Sequence, residues 1–329
     1  MRHRPLGSSG IEASIVGLGT AAIRAGDTDD DDFIKAIRAA IDRGVTLIDT
    51  APSYGWGRSE EVVGRAIEGR RDQVVLATKC GVWWEDERGS YNGVKDGKAN
   101  HVSLRPDTIM IEVENSLRRL GVDTIDLLQC HKPAIPPEET PIPETMGCLM
   151  DLKDQGKIRA IGVSNVSLDQ LDAYRKAGDL ASDQFRYSMI SRDREADILP
   201  YCAAHNIATL SYWSLEQGLL TGKVGLDRVF REDDFRNNAG GWLPWFQLEN
   251  RQRLLDVLAG WAHLTEKYDC TIAQLTIAWT AAQTGATHVL CGVRGADQAV
   301  QNAGAGALEL EADDVQRVRD DLVALGGPV

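Results

Sequence analysis

No run of apolar residues in this chain approaches the roughly 20 that a membrane-spanning helix needs, so no membrane span is expected. The basic start, Met1-Arg2-His3-Arg4-Pro5, has no apolar stretch and cleavage site behind it, so no secretory signal is read there. Positive charge is in short supply: 36 Lys and Arg face 49 Asp and Glu, a formal net charge of -13. That balance argues against a nucleic-acid partner, and an anionic ligand would need a local cluster of Arg and Lys working against the field of the whole chain. Six cysteines (Cys80, Cys130, Cys148, Cys202, Cys270 and Cys291) form neither a CxxC pair nor a Cys/His zinc spacing, and no metal site is expected. They read as reduced, buried thiols of a cytoplasmic protein. Linkers and low-complexity segments are missing too. What is present is a globular composition, 43% hydrophobic and 26% charged, over 329 residues, enough for one large barrel or two medium domains.

Apolar runs and helical spacings alternate along the chain. Turn signals at residues 5–13 suggest a small hairpin covering the bottom of a barrel. Ile15 to Thr20 is the first core strand. Asp29 to Asp32 open a helix on its positive dipole end, Phe33, Ile34, Ile37, Ala40 and Ile41 line one face, and Gly44 closes it. Thr46 to Asp49 is the second strand, Ser59 to Ile67 a helix, and the third strand ends at Lys79. Residues 81–104 read as a polar insertion. Pro106 opens the next helix and Gly121 closes it. The fourth strand ends at His131, the fifth is Arg159 to Val163, the sixth Ser182 to Tyr187, the seventh Ala208 to Tyr212 and the eighth His288 to Val293. Helices fall between them, with Gly222 to Gln247 as a long polar and aromatic interruption and Arg251–Tyr268 as one helical pattern. A last amphipathic helix covers Asp313–Leu325. Eight such units without a break read as a single α/β (β/α)₈ barrel over residues 1–329, with an N-terminal hairpin and a C-terminal helix.

Titratable residues gather at the C-terminal ends of these strands, the face where a parallel barrel carries its chemistry. Asp49 ends the second strand and Tyr54 follows in a Pro/Gly turn; Lys79 ends the third and His131 the fourth. An unperturbed tyrosine, with a pKa near 10, is too weakly acidic to work readily at neutrality. A nearby lysine is expected to lower that value, a carboxylate to keep the lysine charged, and a histidine to orient a carbonyl or share the proton. Taken singly, Lys79 could be a solvated strand end and His131 a satisfied polar residue. Gly17-Leu18-Gly19-Thr20-Ala21-Ala22 fits a dinucleotide-binding loop only superficially. The helix opens near Asp30, after Arg24-Ala25-Gly26-Asp27, and the acidic Asp49 lies about 30 positions on, so a tight strand exit is the better reading. Ser164-Asn165 and Gln184 could hydrogen-bond an amide, or Ser164-Asn165 could merely cap a helix. Tyr212 could stack on a flat ring, the loop Ser214 to Lys223 could hold a pyrophosphate, and Arg294 before the helix carrying Gln298 and Asn302 suits a phosphate monoester.

With these pieces in family order over nearly its whole length, the chain resembles the aldo-keto reductase superfamily and is similar to its broad-specificity bacterial branches. The matching stretches are Gly44 to Ala51 with Tyr54-Gly55, Thr78-Lys79, Asp126 to Leu128 with His131, Gly162 to Asn165, Gly218 to Lys223, and Gly292 to Asn302. The resemblance implies NADPH-dependent carbonyl reduction without a metal. It makes Tyr54 the proton donor, Lys79 and Asp49 its tuning pair, and His131 the substrate orienter. It gives the carboxamide to Ser164, Asn165 and Gln184, the nicotinamide face to Tyr212, and the pyrophosphate to Ser214, Leu215, Glu216, Gln217, Gly218 and Lys223. It gives the adenosine 2'-phosphate end to Arg294, Gln298 and Asn302. Gly19, Thr20, Asp49, Trp213, Gly292 and Gln301 complete the cofactor side. Four positions depart from the family's usual residues: Cys291 for Pro, Gln301 for Glu, Glu216 for a small residue, and Lys132 for Trp. The expected reaction is NADP(H)-linked reduction of an aldehyde or ketone. The alternatives are a sugar or polyol dehydrogenase working oxidatively, and a cofactor-sensing regulatory subunit. The expected partner is a small carbonyl or sugar substrate.

Overall fold

The computed structural model describes residues 1–23, 29–230, 232 and 234–329. The segment Arg24 to Asp27, expected between the first strand and the first helix, lies outside the described residues. Eight parallel strands form a closed barrel: β1 (Val16–Gly19), β2 (Leu47–Asp49), β3 (Val75–Cys80), β4 (Ile125–Cys130), β5 (Ile158–Ser164), β6 (Leu180–Arg186), β7 (Ala208–Tyr212) and β8 (His288–Gly292). Each pairs with its neighbour in chain order and β8 closes on β1. β3 and β4 are buried at every position, as strands between a packed interior and a ring of helices must be. The ring begins with α1 (Asp30–Asp42), α2 (Arg58–Ile67), α3 (Pro106–Leu120), α4 (Ile142–Asp154), α5 (Leu168–Ala177) and α6 (Ile198–Ala204). The Asp29 side chain caps α1 by accepting from Asp31 N, and its Phe33, Ala36, Ile37, Ala40 and Ile41 are buried at helical spacing. None of the described helices is long and apolar enough to cross a membrane.

The hairpin pairs His3–Pro5 with Glu12–Ser14. Its Leu6, Ile11 and Ala13 pack with Leu47, Ala77, Leu127, Leu210 and Leu290 and close the N-terminal end of the barrel. Gly7 has φ 57, and a Cβ there would lie 2.2 Å from the Ala181 carbonyl oxygen, so only glycine lets the turn seat.

One expectation gains detail and one needs correcting. The polar insertion at residues 81–104 folds as a three-stranded antiparallel sheet of Val82–Trp83, Ser90–Lys95 and Lys98–Val102, the last in the middle. Its hairpin turns on Asp96 and Gly97, whose φ values of 49 and 75 are those a two-residue Asp-Gly turn demands. The helix expected over Arg251–Tyr268 is two, α7 (Leu248–Gly260) and α8 (Ala262–Lys267). They break at buried Trp261, whose indole N–H donates to Asp321 at 2.8 Å and anchors the junction on the last helix. α9 (Ile272–Ala281), α10 (Ala296–Gly304) and α11 (Ala312–Leu325) complete the chain.

Candidate active site

Strand register sets one layer at the C-terminal end of the barrel: Gly19 pairs with Asp49, Lys79 with Gln129, and Ser164 with Gln184. Asp49 and Lys79 are 3% and 1% exposed. The Lys79 ammonium donates to Asp49 Oδ2 at 2.7 Å and to the Thr50 carbonyl at 2.9 Å. Asp49 Oδ1 accepts from Gln129 at 3.1 Å and from Gln184 at 2.9 Å, and Gln184 also donates to Gln129 Oε1 at 3.1 Å. Every polar atom of the carboxylate therefore has a partner, as a buried ion pair requires.

Tyr54 lies over this pair. The chain turns sharply behind it through Gly55, Trp56 and Gly57, at φ 63, 55 and 101, and the Lys79 ammonium sits 5.1 Å from its ring centroid. His131 meets the same ring edge-on, 5.7 Å between centroids at 84°, and its Nδ1 is 3.4 Å from Ser53 Oγ. The sequence reading expected Lys79 to bring the phenol's pKa below 10. The net direction is upward: burial raises it and Asp49 adds to the rise, and Lys79, though it pulls the other way, does not overcome them. Burial also works against the charge on Lys79, but Asp49 and Tyr54 hold its pKa above the ordinary value. His131 is held well below the usual histidine range, by burial first and then by Lys79, Lys132 and Lys95. It is a neutral imidazole at physiological pH, which suits orienting a carbonyl better than sharing its proton.

A second network runs along the ends of β5, β6 and β7. Ser164 Oγ donates to the Gln184 carbonyl at 2.8 Å, and the Asn165 amide donates to Ser164 Oγ at 2.9 Å and to the His131 carbonyl at 3.2 Å. The Tyr212 hydroxyl donates to Asn165 Oδ1 at 2.7 Å, so this tyrosine offers a hydroxyl that fixes the amide as well as a ring. Beyond it the backbone takes positive φ at Trp213, Glu216, Gln217 and Gly218. Ser214 is buried, its hydroxyl on the Leu290 carbonyl. The carboxylate of Glu216, a departure in a loop expected to meet a pyrophosphate, turns inward: it accepts from Arg186 at 2.6 and 3.1 Å and from Ser188 at 2.7 Å. Its charge is neutralised and only its main chain is left to the loop.

The remaining cofactor candidates fall into two groups. Thr20 is buried, its hydroxyl on the Asp49 carbonyl and Ser59, so it ties β1 to β2 rather than offering a free donor. Asn302 is buried, and the Gln301 carbonyl accepts from Gln274. Gln298 accepts from the Arg294 backbone N–H at 2.9 Å. Gly19 and Leu215 are half-buried; Gly292, Lys223 and Arg294 are exposed. Arg294 lies 3.8 Å from Asp234, which Arg236 grips in turn. Sequence reasoning passed over Gln129, Asp234 and Lys95. Gln129 was legible, two residues before His131 and therefore on the same strand face; Asp234 and Lys95 reach the site only through folded insertions.

This set fits a dinucleotide: amides and a hydroxyl at one end, a turned main chain in the middle, an exposed guanidinium at the other. Among the described residues no group of three or more His, Cys, Asp or Glu side chains is placed to hold a metal ion. A model of the Aldo/keto reductase family matches residues 15–321. The NADH-specific methylglyoxal reductase of Escherichia coli (strain K12) is 39% identical over 99% of both chains. The structure of the glycerol dehydrogenase AKR11B4 from Gluconobacter oxydans superposes with a TM-score of 0.86 at 36% identity, covering 99% of this chain and 96% of that one. An aldo/keto reductase from Klebsiella pneumoniae, solved in complex with NADP and acetate, gives 0.73 at 26% identity, covering 97% of this chain and 95% of that one.

Proposed function

The chain belongs to the aldo/keto reductase family of oxidoreductases, and on that footing we propose that it reduces aldehydes or ketones to alcohols with Tyr54 as the proton donor. The observation that carries the reading is the buried, fully hydrogen-bonded Asp49–Lys79 pair beneath the Tyr54 ring. A nicotinamide cofactor held at this face would supply the hydride for the carbonyl carbon. Tyr54 gives its hydroxyl proton to the carbonyl oxygen, and the phenolate left behind is held by the Lys79 ammonium. Asp49 keeps that ammonium charged, and Gln129 and Gln184 keep Asp49 in place. Tyr54 is protonated at neutral pH; burial makes its proton harder to release, and the Lys79 ammonium beside the ring works against that rise. His131, neutral, donates one ring N–H hydrogen bond to the carbonyl oxygen and so places it. Ser164, Asn165 and Gln184 would hold the carboxamide, and Tyr212 one face of the ring. The test is turnover on matched carbonyl and polyol panels in both directions. Loss of all activity in Tyr54→Phe supports the assignment; near-normal turnover in that variant overturns it. Polyol oxidation is the reverse of the same chemistry and is favoured as a second reading by the likeness to a glycerol dehydrogenase.

For the cofactor, exposed Arg294 supports NADPH through the 2'-phosphate. A specific observation favours NADH instead: the Asp234 carboxylate, 3.8 Å from Arg294, competes for that guanidinium and would repel a phosphate, and the Escherichia coli relative is named for NADH. Asp234→Ala should raise the NADPH-to-NADH ratio of kcat/KM by about fivefold, the scale of a partly exposed charge contact. An unchanged ratio would remove Asp234 from cofactor choice.

A further inference from the structure

Ammonium groups surround the mouth of the candidate site, in a chain whose net charge is -13. Lys79 lies beneath Tyr54. Lys132 follows His131 directly at the end of β4, and its half-buried ammonium donates to the amide oxygen of Asn92 at 3.1 Å. Lys95, on the same antiparallel insert as Asn92, reaches across the opening: its ammonium is 5.9 Å from the Tyr54 ring centroid and 3.4 Å from the Ser53 carbonyl. Burial draws the pKa of Lys132 down, and among the described residues no carboxylate forms an ion pair with it. The same two lysines, with Lys79, act on His131 strongly enough to help hold it neutral. Two cations from separate elements thus flank the candidate site, Lys95 over the Tyr54 ring and Lys132 beside His131, against the field of the whole molecule, which is the local arrangement an anionic ligand requires.

We propose that the site is built for carbonyl substrates carrying an anionic group, a carboxylate or a phosphate, a few bonds from the carbonyl. Lys132 and Lys95 receive the anion while the carbonyl oxygen faces Tyr54. This rests on the carbonyl-reducing reading above and gives it a substrate class. It also gives the insert at residues 81–104 a purpose, since the insert brings in Lys95 and holds Lys132 through Asn92.

The test uses matched pairs with the same carbonyl: 4-oxobutanoate against butanal, and glyceraldehyde 3-phosphate against glyceraldehyde. The wild-type protein should favour the charged member of at least one pair by about tenfold or more in kcat/KM, the scale of charge-assisted contacts at a partly exposed site. Which pair responds separates carboxylate from phosphate. The preference should shrink as salt is raised from 0.05 to 0.5 M, because screening weakens partly exposed attraction. Lys95→Met and Lys132→Met should each lower the charged-to-neutral ratio about three- to tenfold, and succinate should lose competitive inhibition in parallel if the carboxylate pair responds. Equal kcat/KM for both members of both pairs, or ratios untouched by either substitution, overturns the anion site and leaves the carbonyl reading standing. Turnover of none of the four compounds, in a protein with a cooperative melt, overturns the carbonyl reading and this proposal with it.

Discussion

The two ends of one barrel are built from the same eight strands and could hardly differ more. β2 contributes Leu47 to the closed end and Asp49 to the open one; β3 contributes Ala77 and then Lys79; β4 contributes Leu127 and then Gln129. A step of two residues, which keeps the side chain on the inner face, carries each strand from apolar packing to charge. At the closed end Leu6, Ile11 and Ala13 of the hairpin seal the interior, and stability comes from removing apolar surface from water. At the open end burial works against the ionised groups, and the layer persists because each charge is paired and each oxygen bonded. The closed end should therefore tolerate loss of a contact chemically but not thermodynamically, and the open end the reverse in part.

The largest expected effect tests the chemical half of that contrast. Tyr54→Phe should lower kcat by about 10²-fold or more while leaving the thermal midpoint in place, since the contribution proposed for the phenol is a proton and the substitution keeps the ring. A fall in midpoint of more than a few degrees would show that the open end also carries stability through Tyr54. Next, Lys79→Met strips the Asp49 carboxylate of the cation paired with it. It should remove activity and destabilise the fold by about 3–5 kcal/mol in urea, with much of the stability returning in the Asp49→Asn, Lys79→Met double variant. Failure of the double variant to recover would mean that packing, not an orphaned charge, dominates there.

Leu6→Ala attacks the closed end. A loss of about 2–5 kcal/mol is expected, with kcat/KM unchanged at temperatures well below the melt. Lost activity in a still-folded variant would show the two ends to be coupled. The subtlest test concerns His288, buried at the closed end with Nδ1 3.1 Å from the Ser14 carbonyl oxygen, where burial pulls its pKa down to about 4. The unfolded chain, with a histidine value near 6.5, takes up a proton that the folded chain resists. The stability associated with His288 is therefore whole above about pH 6.5 and is lost as pH falls from there through about 4, by about 3 kcal/mol at the lower value. Urea melts at pH 7 and pH 4 should show that much less acid sensitivity in His288→Gln. Equal sensitivity in both proteins would place the loss in other groups.

The barrel was legible because hydrophobic periodicity is local. Strand and helix alternate with little overlap, and the charged strand ends announce themselves at Asp49, Lys79 and His131. The hairpin turn at Asp96-Gly97 was equally local and was missed only because the strands around it are polar. Glu216 was not legible: a carboxylate in that loop reads as a defect until Arg186 and Ser188, on and just beyond another strand, are seen to take it. Nor was the direction of the Tyr54 pKa, which depends on how completely the ring is buried as well as on which cation stands nearby.

The order of strands, the barrel face that gathers the candidate site and the residue types found there follow from the sequence alone, because each depends on spacings of a few residues. Other features required the folded chain: the two-sided bonding of Asp49 by Gln129 and Gln184, the inward turn of Glu216, the approach of Asp234 to Arg294, and the reach of Lys95 over Tyr54. Each joins groups tens of residues apart, where the strength of a contact is set by distance and dielectric, quantities that only packing determines.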